Sequence, residues 1–456
     1  RYGDAYTSLT SAATNPDNPD RDEDAFLAAR SLARADRDDE SVRAFDAVAA
    51  GRTGRWADEA AFRAAWLEAH HEHVENAVAR FQAFLRDRPD ASSRQRVEAG
   101  WLLGWVLYNA RRYPEAAVAL ERSGETATHH LERRRGRYWA AMARLRAGDT
   151  AGAVAGWQRV IADRPLIWYA LLAEARLREQ NVAITPPAEP PPRRPCPTVE
   201  LPAKSRWLYA LGFDREASAA LAADEDRLRR TVPSDRADEA LALAYLGVGE
   251  ARRAFVLSSR HAGDLDQHPD VTTRWVWDAG FPRPHAPLVE AAEDDGGMPR
   301  HYLFAIMRQE SGFNDRDVSN ARAIGLLQMI PPTTRRAAAE IHLDYREELL
   351  FDPAYNIRIG GYYIGRLFRQ YRGVLPRAIG SFNAGPGAMG RWVRQWGADE
   401  MDVFVERIPF DETRNYIKRV VQNLARYRYL YGPRDEGWPL RLSLQGSAPV
   451  DNIVDY

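Results

Sequence analysis

Apolar positions in the first 182 residues recur at the three- and four-residue spacing of a single helix face, and the pattern repeats. Ala77, Phe81, Phe84 and Pro89 return as Ala153, Trp157, Val160 and Pro165, with Ala116 and Leu120 in the matching places between them. The three alanines stand 39 and 37 residues apart. Small residues at such points let paired helices approach closely, and a proline ends the second helix. Residues 1–182 are therefore expected to form a helical-repeat superhelix, whose broad curved surface binds a protein partner or serves as a scaffold. The proline-rich stretch 183–200 breaks the pattern and is expected to run extended, as a strap. Helical spacing resumes at Ser205–Ala210 and continues through Ala240–Tyr245, giving a helical linker over 201–283. The break Phe281-Pro282-Arg283-Pro284 opens an α-rich domain, 284–440, and the tail 441–456 has no strong periodicity. The expected fold class is all-α.

Within the 284–440 domain one helical stretch carries candidate chemistry. Leu303, Ile306 and Met307 precede Glu310 by seven, four and three positions, so all four share a helix face. That face should be buried, and a carboxyl group losing its water there has its charged form disfavoured. A carboxylic acid still protonated near neutral pH can hand a proton to a glycosidic oxygen. The plainer alternative is a helix-end glutamate that caps or pairs with Arg308.

Composition narrows the function classes only slightly. At 456 residues the chain is too long for one compact core, and two or three domains are expected. Its 45% hydrophobic and 28% charged content is that of an ordinary globular protein, and no apolar run is long enough for a transmembrane segment. A net charge of −1 gives no argument for nucleic acid as a partner. Cys196, the single cysteine, excludes an intramolecular disulfide and reads as a tolerated loop thiol. The chain opens at Arg1, so a processed or trimmed N-terminus is expected. His70, His71 and His73, like His129 and His130, lack the spacing of a helical metal pair and read as solvated. No metal and no cofactor is implied. Trp101, Trp105, Trp139 and Trp157 read mostly as solenoid core.

Four motifs follow in order: Glu310-Ser311-Gly312-Phe313 with Val318-Ser319; Gly325-Leu326-Leu327-Gln328 running to Thr333; Ser381-Phe382-Asn383-Ala384-Gly385; and Ile408-Pro409-Phe410-Asp411-Glu412-Thr413-Arg414-Asn415-Tyr416. Each is weak alone, but the ordered set resembles the catalytic domain of the soluble lytic transglycosylases over roughly residues 284–435. The resemblance implies a lysozyme-like catalytic domain behind a long helical arm, and the repeats of that arm resemble tetratricopeptide repeats. It also implies peptidoglycan glycan strands as substrate and a periplasmic location. Most glycosidases need two carboxylates, and no second acid has a motif of its own here; Asp315, Asp317 and Asp344 suit turns and solvent better. The family resembled manages with one glutamate. Carried over, Glu310 protonates the oxygen leaving C1 of N-acetylmuramic acid, then takes the proton of that sugar's C6 hydroxyl as it closes a 1,6-anhydro ring.

By the same resemblance Ser319, Gln328, Thr333, Phe382, Asn383, Glu412 and Tyr416 would line the glycan groove. Ser319 and Thr333 equally suit turn or helix capping. Arg414 is expected to brace the fold through an ion pair. Two kinds of departure stand out: Leu327 and Ile330 where the family usually and often, respectively, has methionine, and phenylalanine at Phe382 where it normally has tyrosine. The second removes a hydroxyl that could reach the catalytic carboxyl or the sugar, worth roughly 0.5–1.5 kcal/mol. Two rivals remain: a goose-type-lysozyme-like hydrolase using water, and a non-catalytic helical-repeat adaptor that only holds glycan.

Overall fold

The computed structural model describes residues 1–51, 54–197, 199–435 and 437–446; Thr198 of the expected strap and residues 447–456 of the expected tail lie outside these. Among the described residues the regular elements are helices, with no strand beyond isolated bridges. The fold is all-α, as the periodicity predicts. The chain divides into two compact units, Arg1–Ala162 and Asp163–Tyr456.

In the first unit, helices adjacent in sequence pack against one another from Tyr2–Thr14 through His130–Arg146, and Gly156 of helix Thr150–Asp163 comes up against Ala141. The repeated small and apolar positions are the ones buried between them. Ala77, Ala116 and Ala153 are fully enclosed, as are Phe81, Leu120 and Trp157. Trp101 and Trp139 are buried as expected, while Trp105 is half-buried and stacks on Trp101 with ring centroids 5.6 Å apart. Helices Tyr113–Thr126 and His130–Arg146 meet backbone to backbone at Gly124 and Gly136. A Cβ on Gly136 would stand 2.6 Å from the Gly124 nitrogen and 2.7 Å from the Leu120 carbonyl oxygen. Among the histidines, His73 pairs with Glu68 at 2.8 Å and His71 with Asp38 at 3.1 Å, while His70 stacks on Trp66.

The second unit begins before the strap, since helix Trp168–Glu179 belongs to it. That helix is buried along nearly its whole length against helix Asp411–Tyr431. Charged groups pin it: Arg176 reaches Asp402 at 2.7 Å, and Tyr169 joins Glu406 and Lys418, with the lysine 2.8 Å from the carboxylate. The strap runs without regular structure and is fastened by its arginines. Arg193 holds Asp278 at 2.5 Å, and Arg194 holds Glu239 at 2.6 Å. Helices Ala237–Gly247, Ala251–Ser259 and Arg274–Gly280 lead into helices Ala286–Gly296 and Tyr302–Glu310. Helix Pro353–Gln370 packs on the first of that pair and Asp411–Tyr431 on the second, with Leu375–Ala384 against both of these outer helices.

Because the atoms a Gly136 side chain would meet are backbone, no rotamer change relieves the clash. Gly136→Val should cost about 1–3 kcal/mol as the two helices are forced apart. The readout is a lower thermal midpoint by circular dichroism; an unchanged midpoint would show that this helix pair can separate freely.

Candidate active site

Helix Tyr302–Glu310 is short, and six of its nine residues, Tyr302 through Met307, have no solvent exposure. A nine-residue helix has little intrinsic stability, so burial and its ends must hold it. At the N-terminus the buried Glu293 accepts two backbone N–H groups, from His301 and Leu303, both at 3.0 Å. These are among the donors that an α-helix cannot satisfy internally. Burial nevertheless lifts the Glu293 carboxyl to about 7, against the pull of those two bonds.

Arg308 turns away from the glutamate two residues on. Its guanidinium donates to the Gly280 carbonyl at 2.7 Å and to Asn423 Oδ1 at 3.0 Å, and lies 4.2 Å from the centre of the Phe281 ring. The ion-pair reading of Glu310 therefore has no support: Arg308 anchors the helix instead.

Glu310, the last helical residue, is half-buried. Tyr416 donates its hydroxyl proton to Glu310 Oε1 in a short hydrogen bond. The carboxyl is lifted to about 7, first because burial strips water from its charged form. The Tyr416 bond opposes that rise, and the negative charge of Glu412 adds to it. Tyr416 is itself buried, and burial beside Glu310 pushes its hydroxyl well above the usual tyrosine range, so it stays a donor. Glu412 and Tyr416 share the first turns of helix Asp411–Tyr431, with Glu412 exposed. Arg414 does bind Asp411 in an ion pair, and also the Ile408 carbonyl at 2.6 Å.

The chain after Glu310 turns sharply, with Gly312 and Phe313 both left-handed at φ 53° and 70°. Ser311 Oγ donates to the Leu326 carbonyl at 2.9 Å and accepts from the Phe313 N–H at 3.1 Å, joining the first motif to the second. Gly325 sits at φ 77° with no room for a side chain: a Cβ would lie 2.4 Å from the Leu350 carbonyl oxygen. It is the protein's own chain that comes close there. Asn356, buried on helix Pro353–Gln370, ties this loop together. It donates to the Ile324 and Leu350 carbonyls at 3.0 and 2.9 Å and accepts from the Leu327 N–H at 3.0 Å.

The remaining groove candidates divide. Gln328 spends its amide NH2 on the Asp317 and Gly325 carbonyls, at 3.2 and 3.0 Å, so it braces the loop. Ser319 closes its own turn, its hydroxyl accepting the Ala323 N–H at 3.0 Å. Thr333 lies buried in the first turn of helix Pro331–Glu340, which Ile330 caps without a side-chain bond. Asn383 accepts a 2.7 Å bond from Thr413, linking the third motif to the fourth. Phe382 is half-buried, its ring 6.1 Å from that of Tyr363. Of the other acids, Asp315 is engaged by Arg215 at 2.8 Å, and Asp344 is 89% exposed. Among the described residues no group of three or more His, Cys, Asp or Glu side chains is arranged to hold a metal ion.

Residues 287–405, which contain Glu310, match the family model of the Transglycosylase SLT domain. That stretch is similar to transglycosylase SLT domains. Residues 136–166 match a tetratricopeptide repeat. The soluble lytic murein transglycosylase of Salmonella typhimurium is 32% identical over 191 residues, 41% of this chain and 29% of that protein. Its Escherichia coli K12 counterpart is 33% identical over 165 residues, 35% of this chain and 26% of that protein. These alignments span under a third of the curated relatives' own length. Two solved structures share the fold over nearly the whole chain. The 70 kDa soluble lytic transglycosylase of Escherichia coli aligns with TM-score 0.70 and 22% identity, covering 96% of this chain and 67% of that one. An inactive mutant of the lytic transglycosylase Slt of Pseudomonas aeruginosa aligns with TM-score 0.66 and 20% identity, covering 95% and 69%. The SLT domain thus sits in a fold of helical superhelix and lysozyme-like domain.

The lifted carboxyl has a consequence for stability. A group whose folded pKa exceeds its unfolded value favours folding while protonated, and that contribution is lost as pH rises through the folded pKa. For Glu310 the loss develops between about 4.5 and about 7. Glu310→Gln removes it and should stabilise the protein at pH 8 by about 1–3 kcal/mol, with little effect at pH 5. Thermal denaturation at the two pH values measures the difference; equal shifts at both would mean that the carboxyl titrates normally.

Proposed function

We propose that this protein is a lytic transglycosylase that cleaves the β-1,4 bond between N-acetylmuramic acid and N-acetylglucosamine in peptidoglycan glycan strands. One observation carries the reading: a half-buried glutamate at the end of an enclosed helix in an SLT domain, its carboxyl lifted to about 7 and bonded by one tyrosine. In that state Glu310 holds a proton at neutral pH and can deliver it to the departing glycosidic oxygen. The substrate's own acetamido oxygen covers C1 as that bond breaks. The C6 hydroxyl oxygen then attacks C1 and displaces the acetamido oxygen, and its proton passes to the Glu310 carboxylate, which restores the acid. No water is consumed, and the product carries a 1,6-anhydro ring.

Tyr416 would steer the carboxylate between the two steps, since its bond favours the charged form. Asn383, with its amide oxygen engaged by Thr413, would offer its NH2 to sugar hydroxyls or the N-acetyl group. Phe382 and the Gln328 loop would form the walls. The cell-wall substrate points to the periplasm, and no described helix is long and apolar enough to cross a membrane. A hydrolase is the second reading that an observation favours, because Glu412 is near enough for its charge to act on Glu310 and could activate water.

Mass spectrometry of muropeptides released from purified sacculi separates the two. Anhydro-muramyl products that vanish with Glu310→Gln support the transglycosylase, whereas products one water heavier make the protein a hydrolase. The pH profile adds a check. Activity should fall as pH rises through about 7, where the acid loses its proton. Tyr416→Phe removes the bond favouring the carboxylate, so this limb should move to higher pH by about 0.5–1 unit. A limb that moves to lower pH would contradict the assigned role of Tyr416.

A further inference from the structure

The turn that presents Glu310 is gripped from outside the family match. Helix Ala251–Ser259 precedes residues 287–405, yet its Arg252 Nη1 donates to the Ser311 carbonyl at 3.2 Å and, more weakly, to the Gly312 carbonyl at 3.4 Å. Phe255, one turn on, meets Phe313 edge to face with ring centroids 5.7 Å apart, and the Arg308 guanidinium lies 5.1 Å from its ring centre. The fit leaves no slack, since a Cβ on Gly312 would stand 2.5 Å from Arg252 Nη1 and 2.7 Å from Phe255. The gripped segment is one that needs holding. Phe313 occupies the left-handed region that bulky side chains rarely adopt, directly after another left-handed residue.

We propose that Arg252 and Phe255 are positioning residues for Glu310, so that the helical segment before the SLT domain completes its active site. The inference rests on Glu310 being the catalytic acid. The carbonyls that Arg252 binds follow the C-terminus of helix Tyr302–Glu310, where helical carbonyls lack partners and a cationic donor is favoured. Without it the Ser311 carbonyl keeps only its bond from the Asn314 N–H at 3.2 Å, the Gly312 carbonyl must recruit water near the carboxyl, and the two left-handed residues lose the contact that keeps them in place. Glu310 would then both wander and become wetter. The ionisable groups facing it otherwise are Tyr416 and Glu412, both on helix Asp411–Tyr431, and neither substitutes for that contact.

The test uses the full chain with Arg252→Ala, Arg252→Lys and Phe255→Leu, assayed on soluble uncrosslinked glycan strands across pH. Arg252→Ala should lower kcat by about tenfold with KM within about twofold, as expected for a misplaced acid and intact binding. Its alkaline limb should move toward lower pH as Glu310 regains water. Arg252→Lys keeps a cationic donor and should recover most of kcat. Phe255→Leu, which keeps apolar volume, should shift kcat and the limb in the same directions, and it carries the test if Arg252→Ala does not fold. Wild-type kcat and limb position in the folded variants would overturn the proposal, as would a loss in Arg252→Ala that Arg252→Lys does not relieve. Glu310→Gln run beside them keeps the two ideas apart. Full activity in it sinks the acid assignment, whereas an inactive Glu310→Gln beside an unaffected Arg252→Ala sinks only the positioning role.

Discussion

Keeping a carboxyl group protonated at neutral pH requires that water be withheld from it, and the architecture around Glu310 follows from that requirement. The helix carrying it is too short to stand alone, so its inner residues are enclosed completely and its two ends are secured, one by a side chain from elsewhere and one by an arginine of its own. Glu293 takes up N–H groups at the start. Arg308 fixes the last turn by reaching Gly280 and Asn423, which join it to helices Arg274–Gly280 and Asp411–Tyr431. An arginine placed there could have formed an ion pair with Glu310, which would have held the carboxyl ionised. Its engagement elsewhere is as much a part of the site as the burial itself.

Two opposing influences then set how firmly the proton is held. Burial and the charge of Glu412 favour the neutral acid, while the Tyr416 hydroxyl favours the carboxylate. In the proposed mechanism Glu310 is acid first and base second and needs both states within reach, because a group pushed far above neutrality would give up its proton too slowly. Tyr416 and Glu412 come from adjacent turns of one helix and act in opposite senses on one oxygen pair. A slight movement of that helix against Tyr302–Glu310 would therefore change both influences together.

Much of this was legible in the sequence wherever the information is local. The face shared by Leu303, Ile306, Met307 and Glu310 announced a carboxyl on a buried helix, and the spacing of Ala77, Ala116 and Ala153 announced stacked helix pairs; all three alanines are enclosed. What stayed hidden depends on chain segments far apart. Glu293 stands among Glu290, Asp294 and Asp295, and local spacing does not say which acid turns inward to cap a helix. Arg252 is one of many arginines, and its contact with Ser311 spans 59 residues. Gln328 looked like a sugar-binding amide because its type suits one, yet its NH2 is committed to the loop's own carbonyls. Asn356 did leave a trace, as a polar residue opening the buried stripe Asn356, Gly360, Tyr363, Ile364 and Leu367, where an amide is costly unless it is fully bonded.

The phenylalanine at Phe382 can be weighed in the same terms. A tyrosine hydroxyl there was one candidate for steering the catalytic carboxyl, and its loss threatened that function. In the folded chain the carboxyl already has a hydroxyl partner in Tyr416, buried and kept protonated by its surroundings. The third motif is still tied to the fourth, through the bond between Asn383 and Thr413, so a missing hydroxyl at Phe382 does not detach it. What the substitution removes is a hydroxyl; what it keeps is an aromatic surface in the same place. On the proposed reading, the acid chemistry and the recognition of the sugar would depend on different side chains, so that a change in the second leaves the first intact.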